Sequence, residues 1–324
     1  MARSEGRKAG GRRGGGPAAG GDSLRQAGAT DLIAVLVAVT DGEPRVLAIK
    51  GGGSLPSGPF QLRHHSLQAG LRAWVESQTH HPLGYVEQLY TFADAARIAG
   101  AAAAAHVVSI SYLALTREGP PAGADEPEWR GWYEYFPWED RRDGGVALME
   151  EIIAPLLDAW AAEQDTPARR RRVALVFGRD GMPWHEELVL QRYELLWEAG
   201  LMAESRHRAS AGRLPGLAMV GDHRRILATG IARLRAKIKY RPVVFELLAP
   251  AFTLLELQRC VEAIAGRAVH KQNFRRLIEQ QELVEPTGGV ARETGGRPAK
   301  LFRFRRAVLE ERAVAGTRVG VTRG

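Results

Sequence analysis

The sequence predicts an α+β protein in which an N-terminal domain of strands around one amphipathic helix is joined, through a helical connector, to a C-terminal module of three helices and a β-hairpin. Three observations predict it. Apolar, β-branched runs bounded by turn residues dominate residues 31–136, and apolar residues at helical spacing take over beyond them. The charge is also divided: residues 216–324 hold 21 Lys and Arg against 10 Asp and Glu, whereas the remainder holds 24 against 27. The net charge of +8 therefore resides in the C-terminal third, the footprint expected of a nucleic-acid-binding module. At 324 residues and 45% apolar composition the chain exceeds one ordinary core and suits two.

Residues 1–28 are mainly Gly, Arg and Ala and have little to bury, so a disordered basic tail is expected, with Arg12 and Arg13 solvated. The first domain is assigned to residues 29–142. Leu32 to Val39 reads as a buried strand, Asp41-Gly42 as a hairpin turn and Arg45 to Lys50 as the returning strand. Gly51 to Gly58 reads as a loop. Ser66 to Gln78 places Leu67, Leu71, Trp74 and Val75 on one helical face. Further strands are expected at Val86 to Phe92, Val107 to Leu115 and Glu128 to Phe136, with Ala99 to Ala105 as a loop or short helix between them.

The connector, residues 143–215, carries a helix with Met149, Ile152, Ile153, Leu156, Leu157 and Trp160 on one stripe. The run Arg169 to Arg172 follows as a solvated linker, and a second helix spans Leu188 to Leu201, ended by Gly200. These helices suit a dimer interface or simple packing on the domains they join. The single cysteine, Cys260, excludes an intrachain disulfide and a Cys-based zinc site and is expected to be buried packing. The longest apolar run is far short of the ~20 residues a membrane helix needs. A cytoplasmic location with no membrane partner is expected.

The C-terminal module is assigned to residues 216–308, with 309–324 as a tail. Leu227, Ile231, Leu234 and Ile238 make a first amphipathic helix with Arg233, Arg235, Lys237 and Lys239 on its exposed side, and Pro242 stops it. Thr253 to Glu256 is a capping box opening a second helix that buries Leu254, Leu257, Val261 and Ile264, and Gly266 makes the turn. The third, His270 to Gln281, packs Phe274, Leu277 and Ile278 inward and presents Gln272, Arg275, Arg276 and Glu279, with Lys271 and Asn273 at the margins. Arg suits guanine and Gln or Asn suits adenine in the major groove, while Lys holds phosphates. Strands at Leu283 to Glu285 and Leu301 to Phe304 enclose a Gly-rich connector with Arg292, Arg297 and Lys300, a basic wing. Three helices, a tight turn and such a wing form a winged helix-turn-helix. The DNA-binding residues expected are Lys271, Gln272, Asn273, Arg275, Arg276, Arg297 and Lys300. Structured RNA is a poorer fit, because A-form RNA hides its major groove.

Residues 58–80 carry a second motif. The Nudix box, a loop-helix-loop written G-x5-E-x7-R-E-U-x-E-E-x-G-U, is matched by Gly58, Arg72, Trp74 and Glu76. It is broken at His64, Ala73, Ser77, Thr79 and His80. A working box needs several carboxylates on one helix face to hold Mg²⁺, a hard ion demanding oxygen ligands. One carboxylate and one hydroxyl are a poor substitute, so no catalytic residue and no metal site is assigned. Nor do His64, His65, His80 and His81 make a zinc site, since a 13-residue helix would hold the two pairs about 20 Å apart. The first domain thus resembles a Nudix-like α/β/α sandwich emptied of its metal, a pocket suited to binding without cleavage.

From about residue 30 to 306 the chain resembles the Nudix-related regulators of NAD metabolism, the NrtR group and its NadQ-like relatives. The likeness rests on Trp129 to Trp138, Tyr240-Arg241-Pro242, Phe245-Glu246-Leu247-Leu248, Phe252-Thr253, Asn273-Phe274-Arg275-Arg276, Glu285-Pro286-Thr287-Gly288 and Gly296-Arg297-Pro298-Ala299. The resemblance implies a homodimeric repressor of NAD-biosynthesis genes that binds a palindromic double-stranded operator and responds to an adenine nucleotide such as NAD, ADP-ribose or ATP. It requires no cofactor. Lys50, Arg63 and Arg72, basic residues near the phosphate-handling loop, are the expected ligand contacts, although an i, i+4 pair with Glu76 would make Arg72 structural. The alternative is an active hydrolase of nucleoside diphosphate derivatives with a nucleic-acid-binding appendage, its metal site rebuilt around Glu76 with Glu87 or Glu118.

Overall fold

The computed structural model describes residues 30–61, 63–81, 83–93, 108–119, 127–142, 145–163, 167–205, 214–291 and 298–307. The expectations for the N-terminal tail, for Ala99 to Ala105, for Arg292 and Arg297 and for residues 309–324 lie outside them.

A mixed sheet organises the first half. β1 (Thr30–Thr40) pairs antiparallel with β2 (Glu43–Ala48) and β3 (Ser57–Pro59) and parallel with β5 (Val108–Leu115). β4 (Tyr85–Phe92) and β6 (Glu128–Gly131) complete it, in the order β4-β5-β1-β2-β6. Asp41 and Gly42, both left-handed at φ +54° and +77°, make the two-residue turn that matches the twist of β1 and β2. Because side chains alternate along a strand, β1 feeds two layers. Leu32, Ala34 and Leu36 meet Leu71 and Val75 of α1 (Leu67–Thr79), which starts at the N-cap Ser66. Ile33, Val35 and Val37 face the opposite layer, where α7 (His223–Lys237) crosses so closely that a Cβ on Gly230 would lie 2.9 Å from Val35. This is the α/β/α sandwich.

The strand expected to run to Phe136 stops at Gly131. Trp132–Tyr135 coil into a helical turn, α2, because Glu134 folds back to accept from the Gly131 N–H at 2.8 Å. The connector begins as one continuous helix, α3 (Gly145–Leu148), a π-turn at Met149–Ile153, and α4 (Ala154–Glu163). α5 (Pro167–Phe177) corrects the linker reading of Arg169 to Arg172. All four are helical, and Arg169 stacks over Trp160 at 3.8 Å from its ring centre. α6 (Val189–Glu198) ends at Gly200.

The winged helix follows, with α8 (Leu254–Ala265), the left-handed Gly266, α9 (Lys271–Gln280), and the hairpin of β7 (Val284–Ala291) and β8 (Ala299–Phe304). Both arms of the Thr253–Glu256 capping box form, at 2.6 and 3.2 Å. Phe245 stacks on Phe304 at 4.3 Å and Phe252 bridges Phe302, which fastens the hairpin to the helices. One apolar core runs without interruption from Val35 through Tyr193, Leu196 and Leu234 to Leu257 and Phe274.

Candidate nucleic-acid interface and nucleotide site

α9 is held by Phe274 and Ile278, which are 5% and 6% exposed. Its outer surface carries Gln272, Arg275 and Arg276, with Lys271 and Asn273 at the margins, all exposed and none with its side chain bonded or ion-paired to another described residue. Five polar side chains standing free on a rigid helix are available to a partner, and their donors suit base edges and phosphates. Leu277 departs from expectation: it is 48% exposed instead of packed inward, because α9 rests on the core through only two of its three apolar positions. Lys300 is exposed on β8 opposite Val290, and Arg303 of the same strand is tied to Glu285 at 2.6 Å.

The basic face expected on the first helix of the module, α7, is absent in part. Arg233 and Lys239 lie on its outer side, but Arg235 is fully buried and Lys237 is 6% exposed. Lys237 bonds the Tyr85 hydroxyl at 2.8 Å and contacts Glu87, so it fastens α7 to β4. Arg235 joins a buried cluster that sequence reasoning did not find. The Glu139 carboxylate accepts from Arg192 at 2.5 and 3.0 Å and from Arg235 at 2.6 Å. Arg235 also donates to the Ile264 carbonyl of α8 at 2.8 Å, and Gly266 presses against the Glu139 carbonyl so tightly that a Cβ there would lie 2.3 Å from it. The Nudix-like domain, connector and winged helix thus converge on one carboxylate. A charge amid Phe136, Trp138 and other apolar residues was the available signal.

The degenerate box keeps its shape by other means. A Cβ on Gly58 would strike the Trp74 ring at 2.3 Å, and the Trp74 indole donates to the Pro59 carbonyl at 2.9 Å. Gln78 clasps Ser57 through two bonds of 3.0 and 2.7 Å. Ala73, Glu76 and Ser77 are exposed, and the Ser77 hydroxyl is turned to the Trp74 carbonyl. His64 accepts from the Gln61 N–H at 3.1 Å while His81 bonds Thr116 at 2.8 Å, one at each end of α1.

The three basic residues expected around a nucleotide are placed differently from one another. Arg72 donates to the carbonyls of Leu83 and, at 3.2 Å, Gly84, so its guanidinium braces the segment before β4 instead of pairing with Glu76. Lys50 is exposed in a left-handed turn, and Arg63 is exposed before α1. The Lys50 turn is clamped from behind. The Tyr135 hydroxyl donates to the Gly52 carbonyl at 2.8 Å, and Nδ1 of His223 accepts from the Leu55 N–H at 2.9 Å. Burial, reinforced by the Lys50 charge, depresses the His223 pKa to about 4, so the ring is neutral.

Among the described residues no helix is long and apolar enough to cross a membrane. Residues 244–304 match the model of the NrtR DNA-binding winged helix domain. Over 83 residues the chain is 40% identical to the ADPR responsive transcriptional repressor NtrR of Acinetobacter baylyi, a match that covers 26% of this chain and 33% of that protein, so it spans about a third of the relative's length. The structure superposes on NrtR of Shewanella oneidensis in complex with a 27mer DNA at a TM-score of 0.52 and 20% identity, covering 87% of this chain and 95% of that one. A MutT/nudix family protein from Enterococcus faecalis gives 0.51 and 18%, covering 87% and 89%. Residues 244–304 are thus similar to the NrtR DNA-binding winged helix domain, and the chain as a whole shares the fold of NrtR, a Nudix-like domain followed by a winged helix.

Proposed function

We propose that this protein is a sequence-specific DNA-binding repressor of NAD-biosynthesis genes whose Nudix-like domain senses an adenine nucleotide and does not hydrolyse it. The observation that carries the reading is the free polar face of α9 on a winged helix of the NrtR family. The nucleotide follows from the relative's response to ADPR, with NAD and ATP as the other members of the class, and Lys50 and Arg63 as its contacts on the Nudix-like domain; Arg72, engaged with two carbonyls, shapes that site. A homodimer on a palindromic operator would set two copies of α9 one helical turn apart. An effector must bind the two docking states of the winged helix unequally, and the continuous core gives the two domains a shared element to bias.

The experiment is selection of bound duplexes from a random library, followed by anisotropy titration of the winning site at fixed salt with and without ADP-ribose, NAD and ATP. A palindromic winner whose affinity changes about 5 to 150-fold with one nucleotide supports the reading. No enriched sequence overturns the DNA half, and an unchanged affinity with every nucleotide overturns the sensor half.

A further inference from the structure

A cleft of about 530 Å³ separates the tip of the β1–β2 hairpin from the winged helix. Thr40, Asp41, Arg117 and Glu118 line it from the sheet, and Phe252, Glu256 and Arg259 from the winged helix. Two of its carboxylates are already engaged. Glu118 accepts from the Thr40 hydroxyl at 2.5 Å and pairs with Arg45 at 3.5 Å, and Glu256 is held by the Thr253 N–H in the capping box. The guanidiniums of Arg117 and Arg259, one from each domain, have no hydrogen bond or ion pair to any described residue. Asp41, held left-handed at the hairpin tip, likewise keeps its carboxylate unengaged among them.

A guanidinium matches phosphate through paired N–H donors, and two facing one cavity suit a ligand with more than one negative group. The Asp41 carboxylate takes hydroxyl donors, and Leu248 and Phe252 supply an apolar wall. We propose that this junction is a binding site for a nucleoside polyphosphate whose phosphates bridge Arg117 and Arg259 and whose ribose hydroxyls reach Asp41. Such a ligand ties the Nudix-like domain to α8 and so favours one seating of the winged helix over others. The site is additional to the one on the Nudix-like helix and does not depend on it, since neither Lys50 nor Arg63 lines the cleft.

The test is calorimetric titration of the full chain with ATP and with inorganic tripolyphosphate, for the wild type, Arg117→Ala, Arg259→Ala, Lys50→Ala with Arg63→Ala, and Arg171→Ala as a control cation on α5. Arg117 and Arg259 are exposed, so their variants are expected to keep the wild-type melting temperature without ligand. The expected result is about tenfold weaker ATP binding at the junction in each of those two, with Arg171→Ala unchanged and tripolyphosphate weaker than ATP for lack of a ribose. ATP binding that survives both substitutions, or that is lost only with Lys50 and Arg63, overturns the junction site. Equal loss in Arg171→Ala also overturns it, as non-specific charge, and absence of ATP binding to the wild type does so directly. A failure here with operator binding still responsive to ADP-ribose leaves the preceding reading standing.

Discussion

Glu139 and Arg235 meet at 2.6 Å with both side chains closed off from water, and Arg192 grips the same carboxylate from the connector. Burial alone would raise the Glu139 pKa, but the two guanidiniums outweigh it and hold the carboxyl below its usual range. Removing one member of such a cluster strands the others without water. Glu139→Gln is therefore expected to cost on the order of 3 to 5 kcal/mol, read as a lower urea midpoint. Because the folded pKa is depressed, the carboxylate's contribution is complete above its unfolded value near 4.5 and is lost as pH falls below it toward the folded pKa. An unfolding curve for Glu139→Gln equal to that of the wild type would show that the cluster contributes nothing.

His223 predicts a second, separate acid limb. Its folded pKa of about 4 lies below the ordinary 6.5, so protons bind the unfolded chain first. Stability is complete above pH 6.5, declines as pH falls toward 4, and levels off below, a loss of about 3 kcal/mol at roughly 1.4 kcal/mol per unit. His223→Leu is expected to be less stable at neutral pH, because the Leu55 N–H loses its acceptor, yet flatter between pH 6.5 and 4. Stability measured by urea titration at several pH values checks it, and parallel wild-type and variant profiles would contradict it.

On α9, Arg275→Ala and Arg276→Ala are each expected to weaken specific DNA binding by ~1 to 3 kcal/mol if the side chain reads a base. Lys300→Ala, in the wing, is expected to act differently, lowering the salt slope by about one while preserving sequence preference. Anisotropy titrations at several salt concentrations separate the two behaviours. Unchanged affinity in both Arg variants would move the reading surface off α9.

Incubated with Mg²⁺ and ADP-ribose, the protein is expected to release no ribose phosphate, since Glu76 is the one carboxylate among Ala73, Glu76 and Ser77. All three positions are exposed on α1, so Ala73→Glu with Ser77→Glu is expected to fold and to raise Mg²⁺ affinity without restoring turnover. Hydrolysis by the wild type, abolished in Glu76→Gln, would return the protein to the hydrolases.

Local chemistry was legible wherever it is local. The Asp41-Gly42 turn, the Thr253 capping box and Gly266 each specify a reversal, a start or a stop through bonds and backbone freedom within a few residues, and the structure realises each of them. The continuous apolar run of β1 and the stripe of α1 likewise show in the sequence that they are buried, whereas on α9 only Phe274 and Ile278 of the three stripe positions are.

Only the tertiary structure decided which polar residues are inside. A helical wheel places Arg235 and Lys237 on the two flanks of the Leu234 and Ile238 stripe, where a charged side chain reads as exposed, but α7 is covered by the sheet on one side and by Glu139, Glu186 and the end of α8 on another. A long cationic side chain can be buried when carboxylates and carbonyls from distant segments meet it, and those partners lie 96 residues away at Glu139 and 29 at Ile264. Periodicity reports one element's own two faces. It carries no information about how many faces its neighbours will cover, and that number decides whether a charge is solvated or becomes the point where domains join.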